Sequence, residues 1–195
     1  MKQSEFVDRI YNRYIDNEEL KRLLITHSRC VADKALSVAR ECGLDDRIDR
    51  QFVVDAAMLH DIGVVECDAP GIHCFGTLPY IRHGIAGSEI LEREGLDNRY
   101  CRVCERHTGA GISREDIRIQ NLPLPDKDFL PETLEEKLIC YADKFFSKSS
   151  HPETEKSLER VMASMRRHGD ETEKRFLDLH ETFYNNKKAA ANHQG

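Results

Sequence analysis

The stretch AAMLHDIGVV, residues 56–65, carries apolar side chains into His60 and Asp61 and then into Gly63. Its period is helical, so Asp61 falls at a helix C-terminus, where the last carbonyls carry partial negative charge and repel a carboxylate. A buried charge is normally paired or bound to a metal. Asp143 interrupts a second apolar run, Leu138 to Ala142 and then Phe145 and Phe146, in the same way. His27, His83 and His107 also fall beside expected helix ends. Singly, each has an ordinary explanation: a first-turn polar group for His27, a surface group for His83, a partner of the helix dipole for His107, an ion pair for Asp143. Jointly, neutral imidazoles and ionised carboxylates make a ligand set suited to zinc, iron or manganese. His151, His168 and His180 lie in charged segments and read as solvated, while His73 sits in a loop that leaves its role open.

The elements that must position these side chains are helical. SEFVDRIYNRYI places Phe6, Ile10 and Tyr14 on one face after Ser4 as N-cap. THSRCVADKALSVAREC steps through Val31, Ala35, Val38 and Cys42 until Gly43 stops it. A third helix is expected from about residue 48 to 61, and VVECDAPGIHCFGTLPY then reads as a loop. IRHGIAGSEILERE, DNRYCRVCERH and PETLEEKLICYADKFFSK follow as helices, with Pro131 in the first turn of the last. Between the last two lies a long irregular connection, TGAGISREDIRIQNLPLPDKDFL, of a length that tends to be functional. Residues 153 to about 186 read as one or two charged helices, and the tail KKAAANHQG is expected to fray. Without a convincing strand the fold class is all-α. One domain over residues 1–195 is expected, with a core at about 20–150 and a charged helical extension at about 151–190.

With 39% hydrophobic and 33% charged residues, no membrane-length apolar run and no targeting pattern, the expected compartment is the cytoplasm. Net charge is −6 and basic residues alternate with acidic ones, so no nucleic-acid polymer and no membrane is expected as a partner. A small phosphorylated substrate, a nucleotide among the candidates, needs only a local cationic pocket, and an oligomer is compatible with the apolar terminal helices. The seven cysteines are an odd number and read as reduced thiols. Cys101 and Cys104 then become small core side chains on one helix face.

The order His27, His60-Asp61, Asp143 resembles the H…HD…D signature of the HD-domain metal-dependent phosphohydrolase superfamily, and HDIG at 60–63 matches a common variant. RHGIAGSEIL and ERHTGAG resemble the pattern of members that hold two metals. Bacterial HD-type hydrolases that cleave diadenosine tetraphosphate have a similar arrangement, and LPLPDKDFLPETLEEKLICYADKFF is closer still to a small HDIG group. The resemblance covers residues 20 to 150, roughly. Members that cleave cyclic dinucleotides carry Lys after HDIG and a GYP motif. Val64 stands here and no GYP occurs, which argues against that substrate.

The resemblance implies a first metal held by His27, His60, Asp61 and Asp143. It implies a second held by His83 and His107, with Asp61 bridging the two divalent ions and positioning the attacking water. The activity implied is hydrolysis of a phosphoester or phosphoanhydride of a nucleotide or other small phosphorylated metabolite. An HD-fold di-iron oxygenase with the same ligands is the alternative. Phosphoryl transfer calls for further cations, and Lys144 and Arg114 are the expected substrate contacts, with Lys127 nearby. The glycines of HTGAG either present backbone N–H groups to an anion or end the helix. The loop from Val64 to Tyr80 is a candidate lid.

Overall fold

The structure, a computed structural model, describes the backbone of residues 1–191 and the side chains of residues 1–184. Among these residues there are nine α-helices. They are α1 (Glu5–Tyr14), α2 (Glu18–Glu41), α3 (Arg50–Leu59), α4 (His83–Arg93), α5 (Asn98–Arg106), α6 (Arg114–Gln120), α7 (Leu134–Asp143), α8 (Leu158–Arg166) and α9 (Asp170–Ala191). The fold is all-α; among the described residues the strands form a single two-stranded antiparallel ribbon, β1 (Asp68–Ala69) with β2 (Cys74–Phe75). No helix among the described residues is long and apolar enough to cross a membrane.

Local chemistry sets the boundaries, and three differ from expectation. Asn17, not a residue near Thr26, starts α2: its side-chain oxygen accepts from the backbone N–H of Glu19 at 2.9 Å and of Leu20 at 3.0 Å. His27 therefore lies well inside a long helix, between the buried Leu24 and Val31. Gly43 ends α2 at φ 65°, as expected of a left-handed stop. Thr133, not Pro131, opens α7, through a capping box with Glu136 whose carboxylate also takes Arg102 at 2.7 Å. The connection expected to be irregular contains α6, opened by a capping box of Ser113 and Asp116. Ser4 precedes α1 but its hydroxyl does not cap it. That hydroxyl donates to Asp55 at 2.6 Å and ties α1 to α3. Of the tail expected to fray, residues 187–191 continue α9, and 192–195 lie outside the described residues.

Two apolar clusters form. One joins the C-terminal part of α2 and α3 to α7, α8 and α9 through Val31, Phe52, Tyr141, Phe176 and Phe183. The other joins α1 and the start of α2 to α4 and α5 through Ile10, Leu24, Leu59, Ile90 and Cys104. The two meet along α2 and at the end of α3, where His27 and His60 stand. Cys101 and Cys104 are buried on α5, as small core side chains. Because Asn17 fixes the start of the helix that spans both clusters, Asn17→Ala is expected to cost about 1 kcal/mol. A melt followed by circular dichroism should show this as a drop of roughly 2–4 °C.

Candidate metal centre

His60 follows the last residue of α3 and keeps helical backbone, so its ring reaches back to the carbonyl of Ala57, 2.6 Å from Nδ1. His83 opens α4 with Nδ1 2.7 Å from the carbonyl of Tyr80. His107 closes α5 with Nδ1 2.8 Å from the carbonyl of Cys104. A carbonyl only accepts, so each Nδ1 carries its proton and donates it. Each Nε2 is left with a lone pair facing inward, the tautomer of a metal-ligating histidine.

Asp61 stands between two sets of these nitrogens and is 1% exposed. Its Oδ2 is 3.0 Å from His60 Nε2 and 3.3 Å from His27 Nε2. Its Oδ1 is 3.3 Å from His107 Nε2 and 3.5 Å from His83 Nε2. Asp143 completes the first set, with Oδ1 3.0 Å from His27 Nε2 and 3.4 Å from His60 Nε2. In each set, His27–His60–Asp61–Asp143 and Asp61–His83–His107, one potential ligand atom per residue lies within 4.8 Å of all the others.

This geometry passes a chemical test for cation binding. The Nε2 atoms of His27 and His60 and the Oδ1 of Asp61 are buried without a hydrogen-bond partner. Such orphaned groups are costly in a protein interior. The Nε2 atoms of His83 and His107 lie 3.0 Å apart, and with both Nδ1 protons committed they present lone pair to lone pair. Divalent cations satisfy all of these atoms at once, and a nitrogen–oxygen set without thiolate suits zinc, iron or manganese.

The electrostatics keep Asp61, Asp143, His83 and His107 in their binding forms. Burial disfavours the Asp61 carboxylate, yet His60 and Lys148 hold its pKa well below the ordinary carboxylate range. Burial likewise opposes Asp143, which Lys144 and then His27 keep ionised. Burial, then His107, pushes His83 down to about 3, and burial lowers His107, so both stay neutral. Burial also works against a charge on His60, but the adjacent carboxylates, Asp61 first, push its pKa up to about 9, so its Nε2 holds a proton that a bound cation would displace.

A cavity of about 390 Å³ opens on the cluster, at the small-ligand end of the pocket range. Lys144 lines it and donates to Asp143 Oδ2 at 2.5 Å and to the His107 carbonyl at 2.8 Å. Lys148 lines it and donates to Asp61 Oδ2 at 2.6 Å, and Lys156 lines it further along. Lys148 and Lys156 were not legible as site residues, because FSKSSHPETEKS has the composition of a solvated turn.

The structure brings all six candidate ligands and Lys144 together and separates Arg114 from them. The Arg114 side chain is 51% exposed, faces Asp126 at 3.8 Å and does not line the cavity. Lys127 pairs with Glu105 at 3.2 Å. Gly109 and Gly111 both line the cavity at positive φ, and the Gly111 N–H is donated to the Thr108 carbonyl at 3.0 Å. Of the candidate lid, Tyr80 reaches the cavity, whereas Phe75 is 74% exposed and His73 pairs with Glu19 at 3.1 Å. His180, read as solvated, instead bonds the Tyr141 hydroxyl at 2.8 Å, and His168 lines the cavity.

An all-helical protein with a buried His/Asp cluster fit for divalent metal is thus defined by fold and geometry. Residues 24–147 match the HD-domain family model, more than half of the chain, and the chain belongs to the HD-domain family. It is 39% identical over 133 residues to a Picrophilus torridus protein named tRNA (cytidine(56)-2'-O)-methyltransferase, covering 68% of this chain and 34% of that one. A Thermoplasma volcanium protein of the same name is 31% identical over 158 residues, 80% of this chain and 40% of that one. An uncharacterised protein of Methanocaldococcus jannaschii is 40% identical over 96 residues, 49% of each chain. No solved structure matches. The chain therefore spans little more than a third of its two longer relatives.

These relatives correct two expectations. The family is upheld, but the closer likeness to diadenosine tetraphosphate hydrolases is not, since the named relatives carry a different name. The exclusion of nucleic-acid polymers in favour of a small substrate is overturned, because two relatives are named for an enzyme of tRNA. The inference from charge failed for a physical reason. A net −6 averages over the whole surface and hides the three lysines gathered in one cavity.

Proposed function

We propose that the chain is a metal-dependent phosphohydrolase using two divalent ions, acting on a phosphoester carried by a ribonucleotide unit, the end of an RNA included. The observation that carries this reading is the Asp61 carboxylate, one oxygen turned to each nitrogen set, beneath a cavity lined with lysines. His27, His60, Asp61 and Asp143 would hold one ion, and Asp61, His83 and His107 the other. Such a pair supplies Lewis acidity and an activated water for in-line displacement at phosphorus.

The remaining work falls to the chain itself. Lys144 and Lys148 place ammonium groups beside the ligating carboxylates, where they bind phosphoryl oxygens and offset their charge. Tyr80, Ile81, Phe146 and Met165 supply apolar wall, which strengthens those interactions by excluding water. The RNA connection rests on the names of the two longer relatives. The methyl transfer they are named for is assigned to the part of those chains outside the match. In support, the Methanocaldococcus jannaschii relative has equal coverage with this chain, and so equal length, without the additional portion.

The test is anaerobic phosphate release from mononucleotides and from short RNAs with a terminal phosphate, with Mn²⁺ or Fe²⁺ added. Release that is independent of oxygen and abolished by chelation is expected. Turnover that requires iron and consumes dioxygen would instead establish the oxygenase alternative.

A further inference from the structure

Lys156 is unlike the other lysines of the cavity. Lys144 and Lys148 each bond a carboxylate of the metal cluster. Lys156 is half-buried and its ammonium reaches only backbone carbonyls, that of Phe146 at 2.9 Å and that of Lys144 at 3.4 Å. Among the described residues no carboxylate lies within ion-pair distance of it. Other lysines do find acids, Lys34 with Glu155 and Lys127 with Glu105. A half-buried ammonium without an ion-pair partner is costly unless an anion joins it.

The wall around Lys156 has the matching character. Ser164, His168 and Thr172, from α8 to the start of α9, line the same cavity and offer hydroxyl and imidazole groups. The one carboxylate lining it apart from Asp143 is Asp116, already engaged by Arg175 at 2.6 Å and by the Ser113 hydroxyl at 2.8 Å. Positive charge on this side is therefore available to a ligand.

We infer that Lys156, with Ser164 and His168 in the same cavity wall, forms a second anion subsite. The substrate is then a nucleotide with two separate phosphate groups, one at the metal cluster and one at Lys156. A free nucleoside bisphosphate has this chemistry. So does the phosphorylated terminal nucleotide of an RNA, whose internucleotide phosphate is the second group. The two-phosphate orientation rests on the phosphohydrolase reading; the anion subsite itself does not.

Calorimetric titration of the full chain with adenosine 5′-monophosphate, adenosine 3′,5′-bisphosphate and a short RNA bearing a 3′-phosphate tests it. One charge-assisted contact predicts about tenfold or more tighter binding of the bisphosphate than of the monophosphate. In Lys156→Met, which keeps the methylene stem, that ratio falls to near unity, and Lys156→Arg restores part of it. Both variants are checked by circular dichroism. Equal affinities in the wild type, or a ratio that persists in a folded Lys156→Met, overturns the subsite. Comparing the RNA with the free bisphosphate tells which source supplies the ligand. A bisphosphate preference without phosphate release upholds the subsite and rejects the phosphohydrolase reading; release without the preference does the reverse.

Discussion

Asp61→Asn is expected to abolish turnover, by about 10³-fold or more, and to strip metal from the protein. The substitution keeps the volume of the side chain and removes the one charge that both nitrogen sets share. Losing roughly 4 kcal/mol of transition-state stabilisation corresponds to that factor in rate. A structural consequence accompanies it, because Lys148 loses the carboxylate it bonds at 2.6 Å and is left as a partly buried ammonium without that partner. The double variant Asp61→Asn/Lys148→Met removes this imbalance and separates a catalytic effect from a folding one. Elemental analysis of metal per chain, phosphate release and a thermal melt on both variants decide the matter. A folded single variant that retains metal and normal turnover would show that Asp61 bridges nothing.

Gly63→Ala should be the most destabilising single methyl in the molecule's centre. Gly63 is absent from the positive-φ residues, so backbone freedom is not its purpose. A Cβ there would sit 2.1 Å from both the Gly87 nitrogen and the His83 carbonyl oxygen. Those are backbone atoms of α4, which cannot rotate aside, so the helix must move and carry His83 away from Asp61. Overpacking of this kind costs about 3 kcal/mol. A melting temperature lower by roughly 6–12 °C is expected at this chain length. Gly71→Ala is the control, since a Cβ there meets nothing within 4 Å. Equal melts for the two variants would refute the close-approach account.

What the sequence disclosed, and what it hid, divide along physical lines. The six clustered side chains were legible because His60, Asp61 and Asp143 break apolar runs that have no other use for a charge, and because their order resembles a family pattern. The helical class was legible from period alone. The setting of His27 was not: Asn17 begins α2 well upstream of the apolar steps that marked it. Arg114 lies outside the cavity lining because closeness to His107 along the chain is not closeness in space. Its backbone N–H is held by Asp128 at 2.7 Å at the mouth of α6, and its side chain faces Asp126. Lys148 and Lys156 were hidden for the opposite reason. Their neighbours are polar and local, and only the return of the chain from α7 toward α8 brings them under the cluster.

The family match stops at residue 147, yet Tyr141 and Phe145 of the matched region lie in one apolar cluster with Val161, Phe176 and Phe183 beyond it. The same two helices that cover those aromatics, with the turn between them, also supply Ser164, His168 and Thr172 to the cavity. A substitution in α8 or α9 is thus weighed twice, once as mortar for the interior and once as part of the opening through which a ligand enters. Ligand preference in this chain cannot drift independently of its durability, and a variant selected for a new substrate along this wall will carry its thermal tolerance with it.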